Sequence, residues 1–214
     1  MLLIPANIEL AGLEVALISV MSREMILRAF IEEIRDWYDY ILIDCMPSLA
    51  LGMLTINALV AADSVIIPCQ TSYLSVKGLQ QLLSTISKVK RQLNRKLHVE
   101  GSLLTMVDMR NIYTRDMIAQ VHETYGEDPN VGTFATYIPR SVRAEETCAE
   151  GVSIFRTRPG CKIAIAYRGL AKEVMEHDRE EETRLVSRKR KKWAKNETWN
   201  RLLISFRFYF GIII

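Results

Sequence analysis

The 214 residues predict an α/β fold, a mostly parallel sheet flanked by helices, and two observations carry that reading. Short apolar runs at residues 40–43, 65–67 and 97–106 alternate with longer segments whose apolar residues recur every three to four positions. The first run leads straight into Asp44. A carboxylate at the carboxyl end of a buried strand, followed by a turn, stands where open α/β sheets bind ligands. Aspartate also ends strands simply as a turn former, so the pattern alone leaves both readings open.

Taken in order, Ser22 is expected to cap a helix in which Ile26, Leu27, Phe30, Ile31, Ile34 and Trp37 recur at helical spacing. That amphipathic helix feeds the strand ending at Asp44. The chain then passes Pro47 and Ser48 and runs through a helix-like segment into Val65, Ile66 and Ile67. Residues 76–93 repeat the helical pattern with Val76, Leu79, Leu82, Leu83, Ile86, Val89 and Leu93, while Lys88, Lys90 and Arg91 fall largely on the solvated faces. A strand at 97–106, a helix at 114–125 and a short strand at 134–138 follow. A short helix at 142–149 and a longer one at 163–175, packed back on the sheet, complete the body. Strand, helix, strand in succession implies parallel pairing through right-handed crossovers.

Composition narrows the function classes. With 49% hydrophobic and 25% charged residues, the chain has material for one core and a tail. Its four cysteines, Cys45, Cys69, Cys148 and Cys161, form no C-x-x-C pair and are joined by only three histidines, which points away from a zinc site or a disulfide framework and toward a cytoplasmic protein with reduced thiols. The first residues lack the basic and apolar parts of a secretory signal. Residues 183–214 hold nine Lys/Arg against one acidic residue, a balance of +8, which leaves −5 for residues 1–182 of the overall +3. The body is therefore mildly acidic, and any nucleic-acid contact there rests on local clusters.

The run from Tyr38 to Pro68, YDYILIDCMPSLALGMLTINALVAADSVIIP, resembles the Walker B and switch II region of the ParA/MinD family of P-loop ATPases, which typically read IDCPPSLG followed by T and NAL. The likeness extends upstream through Pro5, Ala6, Asn7, Ile8, Glu9 and Leu10. Downstream it takes in Tyr73 to Leu79, Leu104 to Asp108 and Ile138 to Arg143, and so covers roughly residues 2–176 in consistent order. The partitioning branch, ParA or Soj-like, fits best. The resemblance implies a three-layer P-loop NTPase fold. It departs from the pattern in two places. Ala50 and Leu51 are inserted before Gly52, and no Gly-Lys pair of a phosphate loop occurs anywhere. The chain accordingly reads as N-terminally incomplete: an ATPase domain lacking its P-loop over residues 1–176, then a charged, basic and finally apolar tail over 177–214. A frameshifted or read-through end is the competing account of that tail.

The resemblance also implies site residues. Asp44, Pro47 and Ser48 are the expected catalytic positions, with Asp44 holding Mg2+ through water beside ATP. Asp108, Pro139, Arg140, Ser141 and Val142 are expected to flank the nucleotide base. Arg110, Arg115, Arg140 and Arg143 are the expected contacts to DNA phosphates. The implied partners are nonspecific DNA, a ParB-like protein and a second copy of the chain in a nucleotide-dependent homodimer, with no membrane. Two other readings stay open: a non-enzymatic DNA- or subunit-binding fragment, and a MinD-like membrane-cycling protein acting through residues 183–214. By the same resemblance the missing P-loop strand is central to the sheet, so its neighbours would be left with unpaired edges.

Overall fold

The computed structural model describes residues 3–7, 9–45, 52–126 and 131–189. Its first helix, α1 (Glu9–Ala16), runs into a 3₁₀ turn, and a second 3₁₀ turn over Arg23–Met25 opens α2 (Ile26–Ile34). The helix expected behind Ser22 is therefore present, but Ser22 is not its cap. Its backbone is left-handed, with φ 52°, and its side chain makes no capping bond, whereas an N-cap needs extended dihedrals. The start of α2 is held from another helix. Asn57 of α3 (Met53–Ala61) accepts from the Leu27 N–H at 3.1 Å and donates to the Arg23 carbonyl at 2.8 Å.

Residues 40–43 form no strand; only Asp44 carries an isolated bridge. Ile43 and Cys45 are buried as the apolar run requires. Burial is what such a run encodes, while a strand also needs a neighbouring chain with which to exchange its backbone hydrogen bonds.

The ladder that does form joins β1 (Ser64–Gln70) to β2 (His98–Thr105), linked by the crossover helix α4 (Tyr73–Gln92). The His98 N–H donates to the Asp63 carbonyl at 3.2 Å, so both strands start from the same end. In β1 the buried positions alternate, Val65, Ile67 and Cys69. In β2 four consecutive residues from Gly101 to Leu104 are buried, the mark of a strand covered on both faces. Between α4 and β2, buried Asn94 donates to the carbonyls of Leu59 at 3.0 Å, Val60 at 3.2 Å and Ala62 at 2.7 Å. One side chain thereby satisfies the open carboxyl end of α3.

The other edge of β2 meets the chain at 132–140. Phe134 N–H donates to the Ser102 carbonyl at 3.0 Å and Ile138 N–H to the Leu104 carbonyl at 2.8 Å. Four residues on one side thus span two on the other, so 135–137 bulge outward. The short strand expected at 134–138 is reduced for that reason to two isolated parallel bridges, Ser102 with Thr133 and Val107 with Pro139. The released donors are taken by Glu173, which accepts from Ala135 N–H at 2.6 Å and Thr136 N–H at 3.0 Å.

Glu173 belongs to α8 (Lys162–Lys189), which is longer than the 163–175 expected and continues into the charged segment. Two further contacts dock it. His177 stacks on Phe134 with ring centroids 5.6 Å apart and lies 3.0 Å from the buried carboxylate of Glu100. Gly169 approaches Thr136 so closely that a Cβ there would lie 3.3 Å from its hydroxyl. The remaining helices are α5 (Ile112–Tyr125), α6 (Val142–Glu150) and the single turn α7 (Ile154–Thr157). An α/β fold with helices around parallel pairing is thus what the sequence builds.

Contacts divide the chain into two compact units: Met1–Ile67 with Gly78–Val99, and Pro68–Lys77 with Glu100–Asn196. Among the described residues, no helix is long and apolar enough to cross a membrane.

Candidate functional site

Two loops of the second unit come together where β2 ends. Met106, in the left-handed region at φ 52°, turns the chain out of β2. Val107 N–H then donates to the Ile138 carbonyl at 3.1 Å, and Arg140 N–H donates to the Val107 carbonyl at 3.0 Å. Proline has no N–H to offer, so Arg140 supplies the donor that closes the pairing across Pro139. The loops that follow, Asp108 to Asn111 and Pro139 to Arg143, are therefore fixed side by side by backbone bonds.

Asp108 is the electrostatic centre of the first loop. Its Oδ1 accepts from the Arg110 N–H at 3.1 Å and Nε at 2.9 Å, and its Oδ2 from Arg110 Nη2 at 2.9 Å. These bonds, with the positive charges of Arg110 and then Arg140, bring its carboxyl down to about 2, and the Arg110 guanidinium is raised in return. Asn111 ends the loop by accepting from Tyr113 N–H at 3.0 Å, capping α5. Arg115 stands exposed one turn further along α5.

The second loop is built the same way. Ser141 accepts from Arg143 N–H at 3.2 Å and caps α6, leaving Val142 exposed at the first helical position. Arg143 pairs with Glu146 at 3.3 Å. Of the residues expected around the nucleotide and DNA, the structure thus brings Asp108, Arg110, Pro139, Arg140, Ser141, Val142 and Arg143 onto two adjoining loops. Two of the arginines already hold carboxylates, while Arg140 and Arg115 are exposed.

Asp44 lies in the first unit. It is half-buried between buried Ile43 and Cys45, and burial, then the Asp44 charge, pushes the Cys45 thiol up to about 12. Pro47 and Ser48, with the inserted Ala50 and Leu51, lie outside the described residues. No group of three His, Cys, Asp or Glu that could cage a metal occurs among the described residues. A lone carboxylate fits the way Mg2+ is usually held, by one or two carboxylates, waters and substrate phosphates. Gly52 precedes α3, and the Glu14 carboxylate of α1 lies against it, so that a Cβ there would require the Glu14 side chain to shift. Glu14 also accepts from Leu54 N–H at 3.4 Å, placing a negative charge on the amino end of α3.

Sequence reasoning missed Glu14, Asn57, Asn94, Glu173 and the Glu100–His177 pair. Each acts across a long sequence separation, and no spacing signals it. The Asn57 and Asn94 amides could have been flagged only as polar residues inside apolar segments.

The chain is similar to known proteins over most of its length. Residues 1–99 match a family described as an AAA domain. The chain is 44% identical over 171 residues to the sporulation initiation inhibitor protein Soj of Bacillus subtilis, covering 80% of this chain and 65% of that protein. It is 39% identical over 175 residues to the chromosome-partitioning ATPase Soj of Treponema pallidum, covering 82% of this chain and 67% of that one. The structure of cobyrinic acid a,c-diamide synthase from Mycobacterium smegmatis with bound ATP analog and magnesium superimposes with a TM-score of 0.66 at 34% identity, over 81% of this chain and 62% of that one. The chain spans roughly two thirds of the curated relatives it matches, 65% of the B. subtilis protein and 67% of the T. pallidum one. On these grounds, with the loops just described, the chain belongs to the ParA/MinD family of P-loop ATPases.

Proposed function

We propose that the chain works as a ParA-like partitioning ATPase that holds DNA nonspecifically as a nucleotide-dependent homodimer and answers to a ParB-like partner. The observation that carries this reading is the backbone pairing of Val107 with Ile138 and Arg140, which sets the Asp108 and Pro139–Val142 loops against each other in a chain 44% identical to Soj. ATP and Mg2+ are the cofactors the reading requires. Bound Mg2+ would neutralise phosphate charge.

The chain's own residues divide the work. Asp44, half-buried, would hold Mg2+ through water, and Pro47 and Ser48 follow it as the segment that would respond to the γ-phosphate. Asp108, Pro139, Arg140, Ser141 and Val142 border the base. Arg110, Arg115, Arg140 and Arg143 meet DNA phosphates, which fix no sequence. Phosphoryl transfer needs a glycine-rich phosphate cradle, and these 214 residues carry no Gly-Lys pair. Turnover of ATP is therefore not expected of these 214 residues alone. The division into a domain over 1–176 and a basic-then-apolar tail over 177–214, in the cytoplasm, belongs to the same proposal.

The test is anisotropy of a random-sequence duplex titrated with the full chain across a KCl series. Four phosphate contacts per chain give a log–log salt slope of about −3.6 for each chain bound. Arg140→Glu is expected to flatten that slope and weaken binding. Salt-insensitive binding, or binding indifferent to Arg140→Glu, would overturn the reading.

A further inference from the structure

A second feature of the same unit joins Arg158 to the Arg143–Glu146 pair. Helix α6 ends at Gly151, whose φ of 65° reverses the chain, and Ser153 then starts α7 by accepting from Phe155 N–H at 3.3 Å. The reversal carries Arg158, at the end of α7, back over α6. Its Nη2 lies 3.6 Å from the Glu146 oxygen that also holds Arg143 Nη1 at 3.3 Å. Two guanidiniums from separate elements thus converge on one oxygen atom, Glu146 Oε2. All three side chains are about half exposed, at 50%, 46% and 43%. From Gly151 to Arg168 the sequence holds Arg156, Arg158, Lys162 and Arg168 and no acidic residue; of the three α6 carboxylates, Glu145, Glu146 and Glu150, Glu146 is the one that pairs with Arg158. Arg168 is committed elsewhere, donating to the Pro159 carbonyl at 2.6 Å and lying over the Phe155 ring. That arrangement braces the turn from which Arg158 projects.

We infer that Arg158 joins Arg143 in a two-arginine clasp for one DNA phosphate, and that Glu146 occupies the clasp as an internal competitor in the absence of DNA. The inference rests on the DNA-binding reading above and adds to it a residue and a regulating carboxylate. Guanidinium suits a phosphodiester because its planar fork gives paired N–H donors to two oxygens. A carboxylate satisfies the same fork, and an exposed ion pair is weak enough for a polyanion to displace it. The Glu146 charge therefore lowers DNA affinity without altering the fold.

The experiment compares wild type, Arg158→Gln, Glu146→Gln and the double variant in duplex anisotropy over a KCl series, with circular dichroism confirming that each is folded. Glu146→Gln is expected to tighten binding about two- to fivefold, the scale of an exposed ion pair. Arg158→Gln, which leaves Arg143 alone on that phosphate, is expected to weaken binding about two- to fivefold with little change in salt slope. In the double variant the gain from Glu146→Gln should shrink. Wild-type binding that depends on Arg140 but ignores both Arg158→Gln and Glu146→Gln would overturn the clasp and leave the DNA reading standing. No duplex binding by wild type or Glu146→Gln would overturn both.

Discussion

Glu173 Oε1 lies 2.6 Å from the backbone nitrogen of Ala135, and its second oxygen lies 3.0 Å from that of Thr136, so one carboxylate on α8 stands where the carbonyls of a neighbouring strand would be. Replacing it with alanine strands two N–H groups beside the sheet. Glu173→Ala is expected to cost about 1–3 kcal/mol, read as a lower urea midpoint at unchanged slope. Glu173→Gln, which keeps one acceptor, should cost less. Equal midpoints for wild type and alanine would show that water serves those donors as well as the carboxylate does.

Asn94 makes a comparable prediction inside the first unit. Its amide serves three carbonyls at the end of α3, and it is buried. Asn94→Ala is expected to lower stability by about 1–3 kcal/mol. Asn94→Asp should be worse at neutral pH, because a carboxylate has no donor for those oxygens and buries a charge. An aspartate variant as stable as wild type would contradict this arrangement.

Asp108 supplies a pH prediction. Its carboxyl is brought from 3.8 to about 2 by Arg110. A folded value below the unfolded one means that the pair contributes fully above about pH 4 and is lost as pH falls toward 2. Carbon-detected NMR should find Asp108 titrating near the lower value, and Arg110→Ala should return it toward the ordinary carboxylate range. An unchanged titration in that variant would remove Arg110 as the cause.

The thiols are expected to react in an order set by burial. Cys45 and Cys69 are buried, which pushes them up to about 12 and about 11, whereas Cys161 is partly exposed. Brief iodoacetamide treatment at pH 8, followed by peptide mass spectrometry, should label Cys161 well before Cys45 or Cys69, since the thiolate is the nucleophile. Equal labelling of Cys45 would mean that its surroundings open readily.

Much of the architecture was legible because it depends on local periodicity. The apolar repeat of residues 76–93 becomes α4, the run at 97–106 becomes β2, and α5 and α6 fall where their spacing puts them. Legibility failed where a second chain segment decides the outcome. Ser22 has the chemistry of a cap but a left-handed backbone. Residues 40–43 have the apolar composition of a strand without a ladder. Residues 134–138 were readable as extended, but their bulge follows from the unequal spacing of bonds to Ser102 and Leu104. The site divides along the same line. Asp108 and Pro139 to Arg143 were legible through a family motif, whereas Glu146 and Arg158 meet only because Gly151 folds α7 back over α6.

With the donors at 135 and 136 already committed to a side chain, that margin offers a stray peptide neither of those two N–H groups. Strand exchange between copies through this margin would first have to displace that one glutamate.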